Sequence, residues 1–187
     1  MKTLALVLML ITMTVTSSAA FGSLTRHYGE LNPRISQAEF EANQQETLDI
    51  LIPMLKEFEG FSPKATRDKD GTFTICWGHT GKNINGKSTC NSHQGEIQLR
   101  VDANKVLAEV FESSPVLKTR YPSEQAAVAD FAYNAGLGAY QRSSFKIFID
   151  RGETIAAKQE LKRWVYAKGR YLPGLVKRRN REIALLR

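Results

Sequence analysis

Between Thr47 and Thr80 the chain changes its hydrophobic period, and that change limits what it can fold into. From Thr47 to Phe58, the residues Leu48, Leu51, Ile52, Leu55 and Phe58 recur at three- and four-residue steps, which makes one apolar stripe on a helix. Gly60 is the natural stop. Asp70-Gly71 is a strong turn signal, and Thr72-Phe73-Thr74-Ile75-Cys76-Trp77 is rich in β-formers, so a hairpin follows.

This junction carries chemistry. Glu59 stands at the helix C-terminus, where unpaired carbonyls bear partial negative charge. That field disfavours a carboxylate and favours a proton-holding carboxyl, which is what a general acid needs. Asp68 follows nine residues later and Thr74 six after that. The hairpin register decides whether those two meet. A two-residue loop at Asp70-Gly71 pairs Asp68 with Phe73 and leaves Thr74 on the other face. A three-residue loop, Lys69-Asp70-Gly71 with Gly71 left-handed, pairs Asp68 with Thr72. Thr74 then lies diagonally on Asp68's face, within reach of a shared water. The second arrangement is the one expected. Two carboxyls across a cleft are the minimal equipment for glycosidic cleavage: one protonates the leaving oxygen, the other handles water or the developing sugar cation. Taken alone, two acids at this spacing more often lie on a solvated surface, and spacing by itself does not overturn that.

The segment resembles a known family. Glu59, eight residues, Asp68, five residues, Thr74, with Gly60 and Thr74-Ile75-Cys76-Trp77-Gly78-His79-Thr80-Gly81, is similar to the active-site segment of phage-type lysozymes, glycoside hydrolase family 24. Phe131-Ala132-Tyr133-Asn134-Ala135-Gly136, Leu161-Lys162-Arg163-Trp164 and Gly174-Leu175-Val176-Lys177-Arg178-Arg179 extend the likeness in family order, from about Thr47 to the C-terminus. The resemblance implies an α+β, lysozyme-like fold: a small β-hairpin lobe, a larger helical C-terminal lobe and a cleft between them. It implies Glu59 as proton donor, with Asp68 and Thr74 orienting or activating water. The implied substrate is peptidoglycan, cut between N-acetylmuramic acid and N-acetylglucosamine. It gives weaker support to Asn134 as a substrate-binding residue that hydrogen-bonds an acetamido group.

Three regions are expected: 1–20 an export segment, 21–46 a polar, partly helical connector, and 47–187 the catalytic domain. Met1-Lys2, then Leu4 to Met13, then Thr16-Ser17-Ser18-Ala19-Ala20 form a basic, an apolar and a small-residue part. The apolar core is short for a membrane span. No charge occurs between Lys2 and Arg26, so the wider stretch also suits a signal anchor that lodges weakly in a bilayer and is later released. Both readings export the chain, to the periplasm or cell envelope of a bacterial host. Ser36-Gln37-Ala38-Glu39 is a capping-box pattern that starts a helix near Gln37, with or without a break before Thr47.

Further on, helices are expected over 92–112, from Pro122 or Ser123 to a break at 134–138, over 144–150, 154–167 and 175–186. The first of these is expected to bridge the two lobes, the arrangement the resemblance implies. In the second, Ala126, Val128, Ala129, Phe131, Ala132 and Tyr133 are apolar nearly all round, the pattern of a core helix.

Cys76 and Cys90 suit a disulfide in an exported chain, worth roughly 3 kcal/mol. Sequence leaves its geometry open. His27, His79 and His93 lack zinc-ligand spacing, and neither a metal nor a cofactor is expected. His79 is expected to hold the turn after the strand or to hydrogen-bond Glu59. The net charge is +7, with Lys162, Arg163, Lys168, Arg170, Lys177, Arg178, Arg179 and Arg181 late in the chain. No nucleic-acid motif accompanies them, and export argues against that partner. Positive charge suits the acidic envelope, and part of the run reads as a solvated helix face. A monomer is expected. The rival readings are a lytic transglycosylase on the same fold and a non-enzymatic protein that disrupts cell walls or membranes.

Overall fold

The computed structural model describes residues 36–68 and 71–187. The export segment, most of the connector and the turn residues at 69 and 70 lie outside the described residues. Met1–Ala42 forms a separate unit, of which the described part is Ser36 and the first turns of helix α1. Asn43–Arg187 forms the second unit, which holds the sheets, the later helices and the candidate site residues.

Helix α1 (Gln37–Glu59) is continuous from the capping box onward. The Ser36 amide donates to Glu39 Oε2 at 2.8 Å and the Glu39 amide donates to Ser36 Oγ at 3.2 Å, the reciprocal bonds that pattern provides. The expected boundary at 46/47 therefore falls inside one helix, with no break. Leu48, Leu51, Ile52 and Leu55 of the apolar stripe are buried. The Thr47 hydroxyl, fully buried, lies 2.6 Å from Gln125 Oε1 and fastens α1 to a later helix.

After Gly60 comes a three-stranded antiparallel sheet, β1 (Ser62–Arg67), β2 (Phe73–Cys76) and β3 (His79–Thr80), in that spatial order. Arg67 pairs with Phe73 and Thr66 with Thr74; the register shifts before Ser62 meets Cys76. The segment before helix α2 runs along the outer edge of β1, where Lys64 bridges Thr89 and the Cys90 amide donates to the Pro63 carbonyl at 2.9 Å. Ile75, Cys76 and Cys90 make a small core of their own, covered by Ala65 and Ile84. Cys76 and Cys90 are disulfide-bonded, with Cα atoms 5.7 Å apart.

Helix α2 (Ser92–Ser113) starts at a second capping box, Asn91 with Gln94, and buries Leu99, Ala103, Val106, Leu107 and Val110. A 3₁₀ turn (Pro115–Thr119) leads to α3 (Pro122–Ala135), the core helix, in which every residue from Glu124 to Ala132 is buried. Gly136 ends it, and a short helix not anticipated from sequence follows, α4 (Leu137–Gln141). Then come α5 (Ser144–Arg151), α6 (Thr154–Leu161) and α7 (Pro173–Leu185). Phe131 of α3 is the aromatic centre, with the rings of Phe145 and Trp164 edge-on at 4.9 and 5.0 Å.

One expected helix is shorter than its pattern. The stretch 154–167 is helical only to Leu161; Tyr166–Ala167 (β4) instead pairs with Arg170–Tyr171 (β5). The cause is the turn between them. Lys168 and Gly169 both have positive φ, 50° and 75°, the two-residue hairpin geometry that a right-handed helix cannot continue through.

Candidate active site

Glu59 is the last residue of α1, and its side chain is 21% exposed. Gly78, in the turn between β2 and β3, lies against it. A Cβ on Gly78 would stand 3.2 Å from Glu59 Oε2, and the φ of +80° also disfavours any side chain there. The carboxyl thus needs bare backbone at this point of the sheet.

The same sheet holds the other two expected residues. The Asp68 amide donates to the Thr72 carbonyl at 2.8 Å, and Gly71 has φ +93°. This is the Asp68–Thr72 pairing that a three-residue loop requires. Thr74 Oγ1 then donates to Asp68 Oδ2 at 3.4 Å, and Asp68 is exposed. Thr74 pairs across β2–β3 with Thr80, and its neighbour Ile75 with His79. The acid, the carboxylate and the hydroxyl are therefore collected on one small sheet and the helix end that enters it.

His79 does not bond Glu59. Its Nδ1 lies 2.8 Å from Asp102 Oδ2, which ties β3 to α2. The Tyr133 hydroxyl of α3 donates to the Trp77 carbonyl at 3.1 Å and ties the same turn to the helical core. Burial, followed by the nearby carboxyls of Asp102 and Glu59, pushes the Tyr133 phenol up, against the pull of Arg178. Tyr133 is thus a neutral donor in this place. Tyr140 is fully buried, 2.6 Å from the Ser114 hydroxyl, and packs the core. Asn134 is exposed; its Oδ1 accepts from Arg179 Nη2 at 3.0 Å.

The basic run before the C-terminus is not simply a solvated face. Arg178 and Arg179 of α7 are 3% and 1% exposed. Arg178 Nη1 donates to Glu59 Oε1 at 2.7 Å. Its Nε and Nη2 grip both oxygens of Asp130 on α3, at 2.8 and 3.0 Å. Burial works against the Arg178 charge; Asp130 and Glu59 outweigh it and hold the guanidinium above its ordinary value. Behind this pair, Arg179 Nη2 donates to Glu182 Oε1 at 2.7 Å, and its guanidinium lies 4.9 Å from the centre of the Phe131 ring. Burial pushes the Glu182 carboxyl well up, against Arg179. Arg178 and Asp130 were not singled out from the sequence. A signal existed: an aspartate in a helix that is apolar all round must find a cation.

Among the described residues no cluster of histidine, cysteine and acidic side chains is placed to hold a metal ion, and no helix is long and apolar enough to cross a membrane.

Residues 56–182 match the family model "Phage lysozyme". The chain belongs to the phage lysozyme family. With the family comes the class of enzyme, a glycoside hydrolase of the lysozyme type. Among relatives, the endolysin of Bacillus phage PZA is 34% identical over 136 residues, 72% of this chain and 52% of that protein. The chain thus spans about half the length of that relative. The SAR-endolysin of bacteriophage PS119 is 33% identical over 125 residues, 66% of this chain and 73% of that protein. In fold, the chain is similar to the muramidase domain of SpmX from Asticaccaulis excentricus, with a TM-score of 0.64 at 23% identity, covering 72% of this chain and 92% of that one. The α+β lysozyme fold, helical with a small antiparallel sheet, is the fold observed here.

Proposed function

We propose that the chain is an endolysin that hydrolyses the β-1,4 bond between N-acetylmuramic acid and N-acetylglucosamine. Glu59 protonates the glycosidic oxygen. Asp68, with Thr74, steers water to the opposite face of the anomeric carbon, and the family resemblance points to inversion. The observation that carries this reading is the convergence on one sheet: Glu59 against Gly78, and Asp68 hydrogen-bonded to Thr74 two β2 residues before Cys76. The exposure of Asp68 suits a group that must meet solvent water.

Glu59→Gln keeps shape and removes the proton. It should lower wall-lysing activity on the order of 10²- to 10⁴-fold while the protein stays folded. Wild-type lysis of purified walls by that variant would refute the assignment. Mass spectrometry of the released muropeptides separates hydrolysis from the transglycosylase reading: hydrated reducing ends support the first, anhydro ends the second. The contact between Asp68 and Thr74 supports hydrolysis, since only hydrolysis needs water placed.

Export fits this use, and two of the relatives above are named endolysin and SAR-endolysin. The first 20 residues serve as a cleaved signal peptide, or the wider stretch to residue 25 as a releasable anchor. Sequencing the N-terminus of protein recovered from the envelope distinguishes them: a start near Phe21 means cleavage, an intact Met1 an anchor.

A further inference from the structure

A cation bonded to a general acid raises a conflict. Arg178 holds the Glu59 carboxyl in one orientation, yet a positive charge at 2.7 Å also favours the ionised form, which cannot donate a proton. The resolution lies with Asp130, fully buried, which accepts from the other two guanidinium nitrogens in a fork. We propose that Asp130 is a positioning residue for the acid: it fixes Arg178 in place and neutralises it, so that Arg178 orients Glu59 without holding it ionised. This rests on the reading of Glu59 as proton donor.

The geometry leaves few alternatives for Asp130. Both of its oxygens are occupied by Arg178, and Glu182 and Arg179 of α7 are further charged neighbours. The other charged groups packed around Glu59 have hydrogen-bond partners of their own. Lys177 of α7 pairs with Glu57 of α1 at 2.6 Å. Arg179 of α7 donates to Glu182 and to Asn134. Asp102 of α2 pairs with His79 of β3. Tyr133 of α3 is a neutral phenol. Asp68, on the hairpin, is exposed and screened by solvent. Arg178 is shared between two acids, with one of its nitrogens on Glu59 and the other two on Asp130.

The test is the pH profile of turnover on purified peptidoglycan. In Asp130→Asn the Arg178 charge falls on Glu59 alone. The alkaline limb, where the acid loses its proton, should move down by about one pH unit or more. kcat at neutral pH should drop about tenfold, the fraction still protonated falling with that shift, while KM stays put. A merely structural aspartate would lower thermal stability and leave the limb where it was, and that result overturns the proposal. If Asp130→Asn does not fold, the paired change Asp130→Asn with Arg178→Gln reads the same quantity, since it leaves no buried charge unpaired. There the limb should stay at its wild-type position although kcat falls, because the pair has no net charge to lose. An upward shift in the double variant would mean that Arg178 acted on Glu59 uncompensated, and would sink the idea. Glu59→Gln is the control: if it remains active, the reading of the site fails; if it is dead and the limb does not move in Asp130→Asn, only the role of Asp130 fails.

Discussion

Glu59 meets a guanidinium that is 3% exposed at 2.7 Å, and that guanidinium is itself clamped by a buried aspartate; Asp68 is exposed and meets one hydroxyl at 3.4 Å. The first carboxyl is held by three helices, α1, α3 and α7, the second by a hairpin with a small core and a disulfide. The difference suits the two tasks proposed for them. A proton donor must present one oxygen at one angle, which calls for fixed neighbours in a dry surrounding. A group that steers water must tolerate a moving partner, and an exposed hairpin allows that. Substitutions on the helical side should therefore cost stability and activity together. Those on the hairpin side should separate the two.

Arg178→Ala is the harshest test of that division. It leaves Asp130 buried with no cation, a situation that typically costs about 3–5 kcal/mol. Denaturant unfolding should show that loss, and activity should fall with it. A stable, folded Arg178→Ala protein would show that the ionic cluster does not hold the helical side together. Reduction of Cys76–Cys90 comes next. The bond closes a 14-residue separation and should contribute roughly 3 kcal/mol in an oxidised chain. Its loss should loosen the hairpin first. Hydrogen exchange of the amides of β1 and β2 in reductant should speed up before that of α3; uniform exchange would mean the two sides melt as one.

Sequence made the hairpin side legible because its signals are local. Asp70-Gly71 marks the turn, and the choice of loop length settles whether Thr74 shares a face with Asp68. The helical side was legible as helices and not as a site. Arg178 lies 119 residues from Glu59 and 48 from Asp130, and its run of basic neighbours resembles a solvated face. Leu175, Arg179, Glu182 and Leu186 do fall on one helical stripe, so charged residues sitting on the buried side of α7 were visible as an anomaly. Which acid they would meet was a property of packing. The overrun of α6 has a similar origin: Trp164, Val165 and Tyr166 continue the apolar pattern, and only the left-handed pair Lys168-Gly169 shows that the chain has turned.

The Arg179–Glu182 pair sharpens the comparison through pH. Burial raises the Glu182 carboxyl well above its ordinary value. A group raised in the folded state binds its proton more tightly there than in the unfolded chain. Its contribution is complete below the ordinary glutamate range and is lost as pH rises through the folded value. Glu182→Gln cannot lose that proton. Thermal melts from pH 4 upward should therefore fall less steeply for the variant than for the wild type. Parallel curves would mean that Arg179 keeps Glu182 ionised throughout and that burial does not dominate.

Thr74→Val should have the smallest effect on the fold and so tests the division most finely. The hydroxyl makes one long hydrogen bond to an exposed carboxylate, and valine has the same shape and suits a strand. Stability should change by no more than about 0.5 kcal/mol, as for surface positions without special partners. Under the proposed mechanism turnover should nevertheless fall, because the attacking water would lose one of its two anchors, and by about tenfold if that anchor is worth about 1.4 kcal/mol in the transition state. KM should hardly move, since the hydroxyl acts on water and not on the sugar. Unfolding curves that overlay the wild type beside a reduced kcat would confirm that the hairpin side is arranged for chemistry. A matched loss of both would show that Thr74 supports the strand and that Asp68 finds its water without it.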